Sequence, residues 1–409
     1  MLDGHFCTGV EFNFNIIVMN LSTKQSDFLD AVLAGQNVFL TGKAGTGKTT
    51  VVKRAIKELR ELRKKVVALA PTGIAANNVG GQTIHSMFNL NPFGVTSFET
   101  CNFLKGEKRR MLDAIDVLLI DEISMLRPDI LDGLNWTLLK NGCKPLSSKQ
   151  VIFIGDLKQL PAPLDDNARS VLYQTYDGEE FFNAKIYPKL NVTNIELDEV
   201  LRQSNPEFID ALNVIREGGK AEYFRKFVGT EPRGIILAPH NATVFKYNKI
   251  GIDAVAGDEF EFTAEITGNL KADDFNLETI VKVKNGCKIM YLVNSRNNDL
   301  VNGTIGTFVS HAGCHFIRVN NVDHALNEVE FTKKEYVLNE AKDGLELKVI
   351  GTIKQFPIKL AYALSIHKSQ GLTFDEVTVD LSRPCFQKGQ MYVALSRVRT
   401  PEGLRIITA

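Results

Sequence analysis

Residues Gly42–Thr49 read Gly-Lys-Ala-Gly-Thr-Gly-Lys-Thr, a fit to GxxxxGK(S/T). This octapeptide constrains the backbone more tightly than anything else in the chain. Its glycines let the chain curl so that successive N–H groups converge on phosphate oxygens, and a helix N-terminus behind them adds partial positive charge. The pattern carries this meaning only between a strand and a helix. Both are legible: the apolar run Asn37–Thr41 precedes it and the helix-like stretch Thr50–Ile56 follows. Lys48 is expected to reach the β- and γ-phosphates, and Thr49 to hold Mg²⁺. A nucleoside triphosphate site follows from the loop; the use made of the energy does not.

The chain has 409 residues, enough for two or three domains with sizeable cores. A formal net charge of +0 excludes a bulk-basic polymer binder but not a groove with local positive charge. The six cysteines include no CxxC pair, which fits a reducing compartment: cytoplasmic, or nuclear or mitochondrial in a eukaryotic source. His311, Cys314 and His315 lack a second ligand pair at zinc-like spacing, and Phe316–Val319 alternates like a strand, so no metal site is expected there. No apolar run reaches membrane-spanning length, so no membrane association is expected. Residues 1–20 carry Asp3 and Glu11 and no basic leader, and read as an N-terminal extension rather than a targeting peptide.

Short runs rich in Val, Ile and Leu at Val38–Thr41, Val66–Ala70, Val117–Asp121 and Val151–Gly155 predict buried parallel strands of an α/β sheet. Polar residues cluster at their C-terminal ends, where such sheets bind ligands. A helix from Thr49 to about Lys64 carries seven basic residues between Lys53 and Lys65, laced with Glu58 and Glu61 at i+4 spacing: a solvated face. Residues 89–110 show no clear period and read as a small excursion from the sheet. Beyond residue 201 a second α/β half is expected, with strands at Gly234–Ala238, Ile358–Ile366, Val377–Leu381 and Leu404–Ile407. Val281–Val293 and Thr304–Val309 also read as strands, with Asn302-Gly303 as a turn, and residues 301–355 as a β-rich insertion.

Leu118–Glu122 is an apolar strand ending in two acids, about seventy residues after the loop. The first acid, Asp121, is expected to hold Mg²⁺ through water, and Glu122 to polarise the attacking water. Gln159, in Gly155–Pro161, suits a carboxamide that bonds both the γ-phosphate and that water. Arg202 and Arg397 are candidates to stabilise the charge spread over the γ-oxygens from a second domain, although spacing alone leaves open that they are surface arginines. Ala70–Ala76 and Thr83–Phe88 place hydroxyls and backbone amides at strand ends, suited to phosphates, with His85 and Phe88 as ring faces for base stacking. A histidine beside apolar residues is more often a core residue, and that alternative stands. Ser365–Gly371 repeats the style in the second half.

Read together, these segments resemble superfamily-one helicases that move 5′ to 3′, and more narrowly the Pif family. The resemblance runs from about Leu21 to the C-terminus. It rests on Leu21–Gln25, Gly42–Thr49, Ala70–Ala76, Asp121–Met125, the stretch ISMLRPDILDGL at Ile123–Leu134, Gly155–Pro163, Glu199–Gln203, Ala363–Thr373 and Gln390–Arg399. It implies an α/β chain of two RecA-like P-loop domains with parallel sheets, a small wedge insertion, and an SH3-like β-barrel insertion. The expected division is a first domain over 21–200 with the wedge at about 89–110, a second over 201–300 and 356–409, and the barrel at 301–355.

The resemblance also implies residue roles. Gln25 would read adenine. Gly42, Ala44, Gly45, Thr46, Gly47, Lys48, Thr49, Thr50 and Gly371 would contact ATP. Lys48, Asp121, Glu122, Gln159 and the arginine fingers Arg202 and Arg397 would carry catalysis, with Mg²⁺ on Thr49 and Asp121. Thr72, His85, Ser86, His367 and Lys368 would contact single-stranded DNA. The expected partners are single-stranded DNA and tailed duplex or fork DNA, with activity on G-quadruplexes also suggested, and the chain is expected to act as a monomer. The competing readings are an RNA helicase or non-unwinding translocase, a non-motor P-loop kinase, and a nucleic-acid-binding module with a vestigial ATPase.

Overall fold

The computed structural model describes residues 21–91, 94–199, 205–268, 270–293, 300–339 and 345–409. The first half is built on a six-stranded, all-parallel sheet. Its strands are β1 (Val38–Gly42), β2 (Val66–Ala70), β3 (Gln82–Thr83), β4 (Val117–Ile120), β5 (Gln150–Ile154) and β6 (Thr193–Leu197), ordered β3-β2-β4-β5-β1-β6. Every residue of β2 and β4 is buried, which is why those runs are apolar without alternation. One face packs on helices α1 (Thr23–Leu33) and α2 (Lys48–Glu61). Val51, Val52, Ala55, Ile56 and Leu59 of α2 are buried, a helical stripe facing the sheet. The other face packs on the Pro128–Lys140 helix and a Phe153–Phe181–Tyr187 ring cluster.

The expected first-half strands are present within a residue or two. The order places β4, β5 and β1 side by side, so the segments that follow them share one edge. Residues 94–105 are irregular and held to the Pro128–Lys140 helix. Thr96 N–H donates to the buried Asp129 carboxylate at 2.7 Å, and Lys140 sits over the rings of Phe98 and Phe103. The ISMLRPDILDGL stretch is therefore structural as well as distinctive. Its Asp132 accepts from Tyr176 Oη and from the Lys185 and Ile186 amides.

The second half carries a four-stranded parallel sheet in the order Ala363–Ser365, Ile235–Ala238, Val377–Leu381, Leu404–Thr408. Between its strands lies a block of antiparallel sheet. A five-stranded sheet runs Val322–Ala325, Cys314–Val319, Ile305–His311, Lys288–Tyr291, Ile358–Leu360; a three-stranded one joins Val329–Leu338, Leu345–Gln355 and Glu265–Thr267; and Glu259–Thr263 pairs with Ile280–Lys284.

This block spans 259–360, wider than the 301–355 expected from sequence. Two strand-like runs concealed the difference. Val281–Val293 is two strands broken at Gly286, whose φ of +96° suits a residue without Cβ. Ile358–Ile366 changes sheets at Ala361-Tyr362, so only its second part joins the parallel sheet. The two halves of Ile358–Ile366 are both largely buried, so composition does not mark the crossing there. Among the described residues no helix is long and apolar enough to cross a membrane. The expected extension 1–20 lies outside the described residues.

Candidate active site

The loop after β1 approaches its neighbours so closely that only glycine fits at its start. A Cβ on Gly42 would stand 2.6 Å from the Leu197 carbonyl oxygen. Gly47, left-handed at φ +80°, turns the chain into α2. Lys48 Nζ donates to the carbonyls of Gly42 at 2.7 Å and Lys43 at 2.9 Å. Burial holds its pKa below the usual lysine value, although Asp156, Glu122 and Asp121 all pull it up. Thr46 Oγ1 donates to the Lys43 carbonyl, while Thr49 and Thr50 stand exposed on the first turn of α2.

Asp121 and Glu122 follow β4. Glu122 adopts a left-handed backbone, φ +53° and ψ +47°, uncommon for a non-glycine residue, and its amide donates to Asp121 Oδ1 at 2.8 Å. Burial raises both carboxyls. Glu122 is pushed up to about 7, first by burial and then by the Asp121 carboxylate. The residues that follow β5 include Asp156, Lys158 and Gln159, on the same edge of the sheet.

The second half of the chain closes over this edge. Gln370, just after the His367–Ser369 turn, donates its amide to Glu122 Oε2 at 3.3 Å and Gln159 Oε1 at 3.1 Å. Tyr392 Oη accepts the loop's Ala44 N–H at 3.0 Å. Arg216, at the end of the Pro206–Arg216 helix, donates to the fully buried Asp156 at 2.9 Å and to Glu217, and Glu217 in turn receives Lys158 at 2.6 Å. Two opposite-charge pairs with reversed polarity thus tie the segment after β5 to the second half. Arg397 is buried: it donates to the Val393 and Leu372 carbonyls and Ser396 Oγ, yet lies close enough for its charge to oppose the rise of the Glu122 pKa. It faces the acids. Gly371 follows Gln370 with φ +81°.

Lys48, Asp121, Glu122, Gln159 and Arg397 therefore converge. Arg202 lies outside the described residues. Gln25 closes a capping box with Ser22 at the start of α1, which accounts for its carboxamide oxygen. Gln370, Asp156, Arg216 and Tyr392 are site residues that sequence alone does not single out. The first, second and fourth sat inside motifs already singled out; Arg216 ends an ordinary amphipathic helix and gave no signal.

The residues expected to touch DNA fare unevenly. Thr72 caps the Gly73–Val79 helix through its hydroxyl. His85 is half-buried, its pKa lowered by burial and by Arg127. Ser86 Oγ donates to Glu335 of the Val329–Leu338 strand at 2.7 Å and accepts from Gln82 Nε2. Phe88 is a correction. It is fully buried with Ile84 and Met87 in the first-half core, because the short Ile84–Phe88 helix turns those positions inward, and no base can stack on it. Lys368 is exposed, and His367 Nε2 pairs with Gln387 Oε1 at 2.9 Å.

A phosphate loop on one parallel sheet, faced by side chains of a second parallel-sheet domain that reach its acids, is the arrangement of a P-loop nucleotidase with two RecA-like domains. The profile of the PIF1-like helicase family matches residues 20–224. The chain is 32% identical to the ATP-dependent DNA helicase Pif1 of Bdellovibrio bacteriovorus over 95% of its own length and 88% of that protein. It is 32% identical to PIF1 of Xenopus laevis, of which it spans 61%. Pif1 from Bacteroides sp in complex with ADP-AlF4 superposes with a TM-score of 0.83 at 33% identity, covering 95% of this chain and 92% of that one. The same protein bound to single-stranded DNA gives 0.66. The chain belongs to the PIF1-like helicase family.

Proposed function

We propose that the protein is an ATP-dependent DNA helicase that moves 5′ to 3′ along single-stranded DNA and opens tailed duplexes, forks and G-quadruplexes, acting as a monomer. The observation that carries this reading is Gln370, which reaches from the second domain to Glu122 and Gln159 of the first. The relatives support it: a Bdellovibrio protein named as an ATP-dependent DNA helicase, and Bacteroides Pif1 solved with ADP-AlF4 and with single-stranded DNA.

The donor set suits a magnesium nucleotide. It offers backbone amides in a glycine loop at a helix N-terminus, a lysine ammonium, the Thr49 hydroxyl and the Asp121 carboxylate, and hard oxygens are what Mg²⁺ takes. ATP, when bound with Mg²⁺, supplies the γ-phosphoryl group that passes to water. Thr49 and Asp121 would hold the ion, Lys48 would meet the β- and γ-phosphates, and Glu122 would accept the proton of the attacking water. Gln159 orients that water, while Arg397 and Arg202 stabilise the charge that develops. Gln25 reads the adenine. Thr72, His85, Ser86, His367 and Lys368 hold the strand, and each turnover closes and reopens the cleft between the domains. The first domain takes 21–200, the second 205–258 and 361–409, and the β-rich insertion 259–360.

The test is a strand-displacement assay with 5′-tailed and 3′-tailed DNA duplexes and a 5′-tailed RNA duplex. Only the 5′-tailed DNA is expected to open, and Lys48→Ala is expected to abolish DNA-stimulated ATP hydrolysis. Opening from the 3′ tail, or preference for RNA, overturns the polarity or substrate. Full turnover by Lys48→Ala overturns the nucleotide site.

A further inference from the structure

Phe386 is 63% exposed, a large aromatic ring left in water on a segment held rigidly beneath it. The buried Gln390 accepts both the Phe386 and the Gln387 amides on its Oε1, at 3.0 and 3.3 Å. His240 packs on one side of the ring with centroids 5.0 Å apart, and His367 lies nearly parallel to it at 6.4 Å. Both imidazoles are themselves fixed, His240 Nε2 against the Pro384 carbonyl at 3.1 Å and His367 Nε2 against Gln387.

The three rings come from three segments. His240 follows Ile235–Ala238, His367 follows Ala363–Ser365, and Phe386 follows Val377–Leu381, which are adjacent strands of the parallel sheet. They therefore meet at the C-terminal edge of that sheet, where α/β folds bind ligands. The charge carried by the Phe386 segment itself is positive, and Glu278 lies near Lys368 on the adjoining turn. Lys368, Arg383 and Lys388 are exposed, and residues 382–399 contain no Asp or Glu.

We propose that His240, Phe386 and His367 form a stacking platform for nucleobases of single-stranded DNA, with Lys368, Arg383 and Lys388 meeting the flanking phosphates. Stacking on an aromatic face needs no base identity, which suits a protein that must accept every sequence it crosses. Pinning the ring in advance removes the ordering cost that a mobile side chain would incur on binding. The platform also has a route to the nucleotide. Gln387, bonded to His367, donates to the Pro161 carbonyl at 3.3 Å, at the end of the segment that carries Gln159. The assignment rests on the DNA-binding reading above and extends it to Phe386 and His240.

The experiment compares two labelled probes, an oligo-dT strand and an abasic strand of the same length and charge, by fluorescence anisotropy. Wild-type protein is expected to bind oligo-dT more tightly than the abasic strand. Phe386→Ala should weaken oligo-dT binding about tenfold and leave abasic binding unchanged, while Phe386→Trp retains the preference. His240→Ala gives a smaller loss of the same kind. An unchanged melting temperature in each variant shows that folding is intact, as the exposure of Phe386 leads one to expect. Equal weakening on both probes, or none on either, overturns the platform. If wild-type protein binds oligo-dT and Phe386→Ala binds it equally tightly, only the platform fails. If wild-type protein binds neither probe, the DNA-binding reading fails with it.

Discussion

Two segments share the pair Ile-His and look alike in sequence: Thr83–Phe88 in the first domain and Ser365–Gln370 in the second. Their structures differ. The first forms a short helix that sends Ile84, Met87 and Phe88 into the core and leaves Ser86 under Glu335. The second forms a single tight turn. His367 faces the exposed Phe386, and Gln370, three positions on, reaches Glu122 and Gln159. The first segment anchors a surface and the second joins two surfaces. The cause lies in the positions after His: Met-Phe extends an apolar helical face, whereas Ser369 turns its hydroxyl back onto the Ile366 carbonyl and leaves Gln370 to reach out.

If that contrast is right, the two phenylalanines near these histidines must behave in opposite ways. Phe88→Ala empties a filled core site and is expected to cost about 3–5 kcal/mol of stability, read by denaturant unfolding. Phe386→Ala is expected to leave the unfolding midpoint where it is. A small loss at Phe88 would show that its ring is not a core element and would reopen it as a stacking face.

The next effect is on chemistry. Gln370→Ala removes an amide that spans the cleft, and kcat for ATP should fall about a hundredfold. DNA affinity, set by other side chains, should change little. A loss in DNA affinity with kcat intact would move Gln370 to the DNA side and dissolve the distinction between the two ends of this turn.

The nucleotide loop, its strand and helix, the acids after β4 and Gln159 were legible because they are local. Each lies within a few residues of a strand end, and spacing fixes their relation to phosphate. The second domain's contribution was legible only as motif, not as contact. Gln370 and Tyr392 lie in segments already singled out, but which side chain crosses the cleft depends on how the domains pack. Arg216 shows the limit most clearly. Its role exists only because Asp156, sixty positions away, is buried against it. The β-rich insertion was misplaced for a related reason: a strand pairing with a distant strand looks the same whichever sheet it joins.

The acids offer a test by pH. Glu122, raised to about 7 by burial and by Asp121, must be ionised to accept a proton. In the free enzyme kcat/KM for ATP should fall about tenfold per pH unit below about 7. A carboxyl raised on folding takes up protons in the folded state, so its ionisation costs stability as pH rises from the ordinary glutamate range to about 7. Glu122→Gln should therefore raise the melting temperature at pH 8, on the order of a few degrees, and leave it unchanged at pH 4. A profile flat down to pH 5 would assign the proton to another group.

The smallest effect concerns the covered segment. Glu335 places a carboxylate on Ser86, where the DNA reading needs a phosphate, and Lys108 lies beside the same carboxylate. The same strand inserts Tyr336, whose hydroxyl accepts the Ala68 amide. Strand and phosphate compete for one hydroxyl. The superposition is also better with Bacteroides Pif1 carrying ADP-AlF4 than with the form bound to single-stranded DNA, 0.83 against 0.66. Glu335→Gln keeps the shape and removes the charge, so it should tighten single-stranded DNA binding about threefold, most at low salt where unscreened repulsion is largest. At Ser365–Gln370 the carboxylate bonded to the turn is Glu122, on Gln370, so the corresponding change there would alter the nucleotide site rather than uncover a DNA contact. Weaker binding by Glu335→Gln would mean that this strand presents the DNA surface rather than covering it, and that the two Ile-His segments face the nucleic acid after all.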